Sequence, residues 1–117
     1  MITKIETPKE ILGFEITGKL KIEDFNKMEP LMDKYQKEYD GLKLLIIYND
    51  FEWPTIEALK EDLKSYFEYD ITKIAFVSKT KWLREAADSV AELMPGDMKA
   101  KGFKPEEKDE AIAWLVA

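Results

Sequence analysis

Asp50 and Glu52 stand two residues apart directly after an apolar run, a spacing that could serve chemistry. Such a pair could bind a divalent cation or act as a general acid and a general base. No third acidic residue lies within the same segment, and surface loops commonly carry such charges. The 117-residue chain also has no His and no Cys, which excludes an imidazole base, a thiolate nucleophile and the usual zinc ligands. Most familiar enzyme mechanisms are thereby excluded, and we predict that this pair neither binds a metal nor catalyses a reaction, with no cofactor required.

Two aromatic residues, Phe51 and Trp53, alternate with these carboxylates in a predicted connection that runs from Asn49 to Pro54. The connection follows an apolar strand, and open parallel sheets usually place their ligands at the carboxyl ends of strands. Large exposed aromatic side chains mark interaction sites. The alternative is that both rings cap the core beside Leu59 and Trp82.

A second segment, Ser78 to Trp82, ends another apolar strand and opens a helix. Its cations are Lys79 and Lys81, with Arg84 one turn later. Free backbone N–H groups at a helix N-terminus and nearby cations can receive a phosphate or a carboxylate. The alternative is that a hydroxyl of this segment, which includes Thr80, is a plain N-cap and that the lysines are solvated.

Apolar patterns predict the strands that must position these two segments. Ile2 to Glu6 and Ile11 to Ile16 alternate and predict an N-terminal hairpin. Leu42 to Tyr48 is a nearly continuous apolar run, typical of a central strand covered on both faces. Ile71 to Ser78 predicts a further strand, and Met98 to Phe103 a weaker one.

The first predicted helix spans residues 22–39, where Phe25, Met28 and Met32 recur at helical spacing. Pro30 lacks the N–H that a helix interior uses, so we expect either a kink or a split into two helices. Because Met adapts to irregular space, Phe25, Met28 and Met32 could line a pocket. Core packing explains the same stripe equally well.

Three further helices are predicted: one after Thr55, the natural N-cap, one from Trp82 onward and one after Pro105. Strands that alternate with helices imply a mostly parallel sheet with right-handed crossovers. We therefore predict a single α/β domain over residues 1–117, with a mostly parallel sheet of four to five strands, an N-terminal β-hairpin and four main helices.

The order and spacing of these elements resemble the SpoIIAA-like branch of the STAS superfamily. The residues that carry the resemblance, spread over nearly the whole chain, are Gly18 to Phe25, Pro30, Asp50 to Thr55, Asp62 and Leu63, Lys79 to Trp82, and Glu110 to Leu115. The resemblance implies a non-enzymatic binding or regulatory domain. The branch is also similar in fold to CRAL-TRIO lipid-binding domains, which implies an apolar ligand by analogy.

STAS relatives that antagonise anti-sigma factors carry an Asp-Ser-Ser-Gly element where the central strand meets the next helix. Phosphorylation of its serine switches partner binding in those relatives. The equivalent stretch here, Asp50 to Ile56, departs from that element and has Thr55 as its one hydroxyl. A phospho-regulated anti-anti-sigma-type switch, with Thr55 as the possible phospho-acceptor, is therefore the alternative function.

Charge excludes some partners. The chain has 18 Lys and Arg against 24 Asp and Glu, a formal net charge of -6, which repels nucleic acid phosphates. No apolar signal stretch follows Met1, and no run approaches the roughly 18 apolar residues of a membrane span. We expect a cytoplasmic protein with no nucleic-acid partner and no transmembrane segment.

The sequence therefore predicts a binding domain. Its candidate binding residues are Asp50, Phe51, Glu52, Trp53, Thr55, Lys79, Thr80, Lys81, Trp82 and Arg84. If both segments meet at one edge of the sheet, an anionic amphiphile could place its head near the lysines and its tail against the tryptophans. A protein partner, or a homodimer that docks through Phe51 and Trp53, is the other expectation.

Overall fold

The computed structural model describes residues 1–53, 55–93 and 96–117. Within these ranges it describes every side chain except those of residues 51, 56, 59, 63, 65–67, 88 and 90–93. Five strands and four α-helices are found in the described residues. The strands are β1 Ile2–Ile5, β2 Ile11–Lys19, β3 Leu42–Glu52, β4 Ile71–Ser78 and β5 Lys99–Phe103. The helices are α1 Ile22–Glu38, α2 Ile56–Glu68, α3 Lys81–Leu93 and α4 Lys108–Val116, with a short 3₁₀ turn at Pro105–Glu107 before α4.

The strands form one sheet in chain order, β1-β2-β3-β4-β5. β1 pairs with β2 antiparallel, and β2 to β5 are parallel to one another. The predicted hairpin, the mostly parallel sheet and the central position of β3 are thereby confirmed. Because β3 and β4 are parallel neighbours, their carboxyl ends lie at the same edge of the sheet.

The helices are divided unequally between the two faces of the sheet. Right-handed crossovers between strands in sequential order place α1, α2 and α3 on one face. Phe25 and Met28 of α1, Ala58 of α2 and Ala87 of α3 accordingly share one buried cluster with that face. The opposite face is covered by α4, whose Ala111 and Leu115 pack on side chains of β2, β3 and β4.

α1 runs from Ile22 to Glu38 without interruption, so the split at Pro30 that we considered is wrong. Phe25, Met28 and Met32 are buried against the sheet. Burial of this stripe outweighs the loss of one backbone hydrogen bond at Pro30.

The predicted connection from Asn49 to Pro54 is wrong over most of its length, because β3 continues to Glu52. The added residues pair with the end of β2, Thr17 with Asn49 and Lys19 with Glu52. One extra residue on β3 makes a bulge there, and Asp50 has a left-handed φ of 48°. Polar side chains in this stretch suggested a loop, whereas the paired edge of β2 keeps the backbone extended.

α4 is fastened at its C-terminal turn by Lys73 of β4. The Lys73 ammonium donates to the carbonyl oxygens of Trp114 at 2.8 Å and Ala117 at 2.9 Å. Lys43 and Lys99 stand beside Lys73 in the register of β3, β4 and β5. Partial burial and then these two neighbouring cations lower the pKa of Lys73. A cation at the carbonyl end of a helix stabilises that end.

Candidate functional site

The two predicted binding segments meet at the carboxyl edge of the sheet. Trp53, which follows β3, stacks on Trp82 in the first turn of α3, with ring centroids 5.3 Å apart and an interplanar angle of 20°. Both rings face solvent as well, since Trp53 is 69% exposed and Trp82 is 46% exposed. We call this surface the tryptophan rim and define it by Asp50, Glu52, Trp53, Lys79, Lys81 and Trp82.

Hydrogen bonds between side chains and the backbone hold the Trp82 side of the rim in place. The Thr80 amide donates to the Ser78 hydroxyl at 3.1 Å, and the Arg84 guanidinium donates to the Ser78 carbonyl at 2.8 Å. Arg84 thus fastens the start of α3 to the end of β4. Lys79 is exposed, and Lys81 forms a surface ion pair of 3.8 Å with Glu85.

The Trp53 side of the rim is fixed by Thr55. Its hydroxyl accepts a hydrogen bond of 3.1 Å from the Ala58 amide, which confirms Thr55 as the N-cap of α2. The Thr55 amide donates to the Leu20 carbonyl at 3.3 Å, which ties the connection to the end of β2. Pro54 and the side chains of Phe51 and Leu59 lie outside the described residues.

The carboxylates Asp50 and Glu52 are both exposed at the rim. Among the described residues, no group of three acidic, His or Cys side chains is arranged to hold a metal ion. A groove of about 380 Å³ lies beside Asp50, between the ends of β3 and β4. Its lining is mostly polar and comprises Tyr48, Asn49, Asp50, Ser78, Lys79 and Thr80.

A small, partly open cavity lies beneath α1 on the helix-rich face of the sheet. Its volume is about 30 Å³, less than a tenth of the volume of the groove beside Asp50. Phe25, Met28 and Met32, the residues expected to line a pocket, form part of its wall. An acyl chain does not fit in a space of this size unless α1 moves.

Asp62 of α2 and Tyr48 of β3 provide the polar groups of this cavity. Burial raises the pKa of the Asp62 carboxyl to about 6. Burial also raises the pKa of the Tyr48 hydroxyl, and the neighbouring charge of Asp62 raises it further.

Sequence reasoning did not single out either residue as a polar group of a cavity. The signal that could have found Asp62 is its position four residues after Ala58, since residues at that spacing share a helix face. Ala58 is fully buried, so its face of α2 turns towards the core. Tyr48 likewise follows buried Ile46 by two residues on β3.

None of the described helices combines the length and the apolar composition that crossing a membrane requires.

Comparison with known proteins gives a consistent result. A family model described as SpoIIAA-like matches residues 11–116. Among solved structures, the fold is similar to an uncharacterized protein from the DUF3478 family with a SpoIIAA-like fold from Shewanella loihica PV-4. That similarity has a TM-score of 0.77 at 23% sequence identity and covers 98% of this chain and 92% of that chain. The comparison with curated proteins gave no match.

Proposed function

We propose that this chain, which belongs to the SpoIIAA-like family, is a regulatory domain that docks a protein partner at its tryptophan rim. The SpoIIAA-like fold suggests a non-enzymatic regulatory domain. The observation that supports docking is the Trp53–Trp82 stack, in which two large rings are ordered against each other and still exposed.

The exposed area of the two rings is large enough to matter for binding. A tryptophan buries up to about 250 Å², so the exposed fractions of Trp53 and Trp82 correspond to roughly 290 Å². Removing that area from water contributes about 7 kcal/mol before the cost of association. Because each ring already rests against the other, little side-chain entropy is lost when a partner covers them.

The exposure of the rings also favours docking over the alternative that they only cap the core. A ring that served as a cap would be mostly buried, whereas Trp53 is more than two-thirds exposed. Tryptophan is enriched among the residues that dominate binding energy in protein interfaces.

The test begins with a photo-crosslinking amino acid at Glu57, an exposed position in the first turn of α2. The cross-linked protein is identified from cells by mass spectrometry, purified and titrated against the wild type and single variants. We expect at least tenfold weaker binding for Trp53→Ala and Trp82→Ala. Tyr39→Ala, which truncates an exposed aromatic ring at the end of α1, is the control and should bind as the wild type does.

Equal affinity of all four proteins for the purified partner would contradict docking at the rim. If cross-linking captures no protein other than the chain itself, the proposal is contradicted, because it requires an external protein partner.

Thr55 supports a second candidate, a phospho-switch at the same rim. Its hydroxyl lies at the N-terminus of α2, where a phosphate gains from the helix dipole. The nearby carboxylates Glu52 and Glu57 would repel that phosphate and oppose its addition. We expect Thr55→Glu, compared with Thr55→Gln, to change the affinity of the rim partner; equal affinities would argue against the switch.

The groove beside Lys79 supports a third candidate, an anionic amphiphile. Its volume of about 380 Å³ suits a head group, with the tail lying against Trp53 and Trp82. Fatty acids and lysophospholipids are titrated while tryptophan fluorescence and amide chemical shifts are followed. The absence of any response at rim residues up to millimolar ligand would exclude this candidate.

A further inference from the structure

The groove beside Asp50 exists because β3 and β4 diverge at their carboxyl ends. Their pairing ends at Tyr48 and Ser78. β3 then continues to Glu52 against β2, whereas the chain after β4 turns into α3. Beyond Tyr48, the edge of β3 opposite β2 has no pairing strand in the part of the chain that the structure describes. A space of about 380 Å³ therefore opens between the two strand ends.

Side chains of opposite charge line this groove. The Asp50 carboxylate comes from β3, and the Lys79 ammonium comes from the residue that follows β4. No ion pair joins the two groups, and neither forms an ion pair with another side chain among the described residues. The two charges therefore remain separated within one groove.

The β-bulge of β3 accounts for the position of Asp50. Successive residues of a regular strand point to opposite faces of the sheet, yet Tyr48, Asn49 and Asp50 all line the groove. The bulge and the left-handed φ of 48° at Asp50 interrupt the regular alternation. The local backbone thus brings the carboxylate to the side of β3 on which Lys79 lies.

We propose that this groove binds a small zwitterion of the amino-acid class, with its ammonium group at Asp50 and its carboxylate at Lys79. Asn49 and Thr80 line the same groove and add an amide and a hydroxyl, which both donate and accept hydrogen bonds. The inference goes beyond docking of a protein at the tryptophan rim and does not depend on it, because neither Trp53 nor Trp82 lines the groove.

A ligand with charge of only one sign fits this groove less well. An anion gains from Lys79 but is repelled by Asp50, and the reverse holds for a cation. A zwitterion forms charge-assisted hydrogen bonds at both ends. The volume of about 380 Å³ lies within the range of small-molecule sites and leaves room for the side chain of an amino acid.

The test follows the amide chemical shifts of the isotope-labelled protein while each common amino acid is added to about 10 mM. We expect saturable shifts at residues 48–50 and 78–80, with a dissociation constant of about 10 µM to 1 mM for at least one amino acid. Two derivatives of that amino acid are the matched ligand controls. Its carboxamide keeps only the positive charge, its N-acetyl form keeps only the negative charge, and each should bind at least about tenfold more weakly.

Protein variants then assign the two ends of the ligand. Asp50→Asn and Lys79→Gln should each weaken binding at least about tenfold. Asn tolerates the left-handed backbone at this position, so the first variant should keep the local fold. Asp40→Asn is its matched control, since Asp40 is also exposed and has a left-handed φ of 44°. Lys81→Gln, at an exposed lysine that does not line the groove, is the control for Lys79→Gln. Both controls should bind as the wild type does, and circular dichroism confirms that each variant is folded.

The absence of amide shifts at these residues with every amino acid would overturn the inference. Equal affinity for the carboxamide or the N-acetyl form would also overturn it, and so would unchanged binding in Asp50→Asn or Lys79→Gln. Phosphoethanolamine is added as a further ligand, and its binding in the absence of any response to amino acids would overturn the inference in favour of a lipid head group. If amino acids bind while no external protein is found, only the proposed function fails.

Discussion

Replacement of Asp62 by Asn is expected to stabilise the protein at neutral pH, although it changes a polar group at the wall of the core. Asp62 lies on α2 and lines the cavity together with Tyr48. Burial raises the pKa of its carboxyl from the ordinary 3.8 to about 6, so the folded state disfavours the charged form. That difference in pKa corresponds to about 3 kcal/mol of unfavourable free energy in the native state when Asp62 is ionised.

The sign of the pH dependence follows from the same numbers. Below pH 3.8 the carboxyl is protonated in both states, so Asp62 costs no stability there. Between pH 3.8 and about 6 the unfolded chain releases this proton more readily than the folded chain, and stability is lost as pH rises. Above about pH 6 the loss is complete. The amide of the Asp62→Asn variant cannot ionise, so the variant should gain about 3 kcal/mol over the wild type at pH 8 and less than about 1 kcal/mol at pH 4.

Urea unfolding followed by tryptophan fluorescence at pH 4, 5, 6, 7 and 8 measures this difference. Glu61→Gln removes a carboxylate from the adjacent position of α2 and is the matched control. An effect common to both variants reports net charge, whereas the pH-dependent excess in Asp62→Asn reports burial. A variant that is less stable than the wild type at pH 8, or a stability difference that is constant with pH, would refute the reasoning.

Three further variants test particular contacts by urea unfolding. Gly102→Ala should lower the free energy of unfolding by about 2 to 4 kcal/mol, because its methyl group would lie 2.6 Å from the Arg84 Cα and collide with the Arg84 carbonyl. Gly13→Ala is the control and should cost less, because the atoms nearest to its methyl group are side-chain atoms of Thr7 and Ile5, which can move. Equal costs for the two variants would contradict the close approach of α3 to β5. Thr55→Ala should lower the free energy of unfolding by about 1 kcal/mol, because it removes the N-cap of α2, and Thr55→Ser should keep most of that stability. If the Thr55 hydroxyl were only solvated, neither substitution would change the stability. Lys73→Met should lower the free energy of unfolding by about 1 kcal/mol and speed hydrogen exchange at the last amides of α4. Lys99→Met, the control, should have neither effect. Unchanged exchange in Lys73→Met would show that Lys73 does not hold the helix.

The elements were predictable from sequence where a local pattern decides them. Leu42 to Tyr48 is apolar on both strand faces, and the structure covers both faces of β3 with helices. The alternation of strands and helices then predicted a mostly parallel sheet with right-handed crossovers, whereas the order of the strands comes from the structure. Pro30 was ambiguous, because the burial that keeps α1 whole is supplied by the sheet and not by the helix itself.

Elements that depend on pairing at a distance were not predictable. Residues Asn49 to Glu52 form a strand because the end of β2 pairs with them. Nothing in the sequence of those four residues indicates that they have a pairing strand. Asp62 has the residue type of a solvent-facing helix position, and its burial depends on how α2 is rotated on the sheet. The meeting of Trp53 and Trp82 could be expected from parallel topology, whereas their stacking and exposure depend on how the start of α3 lies against the end of β3.

The unequal covering of the sheet has a consequence for how the chain is made. During synthesis, α1, α2 and α3 emerge from the ribosome before α4, so one face of the sheet can close early. The other face, with Ile11, Leu45 and Val77, stays uncovered until residues 108–116 leave the exit tunnel. The nine residues of α4, which follow the last strand, thus decide whether the nascent polypeptide hides its second apolar layer or offers it to chaperones.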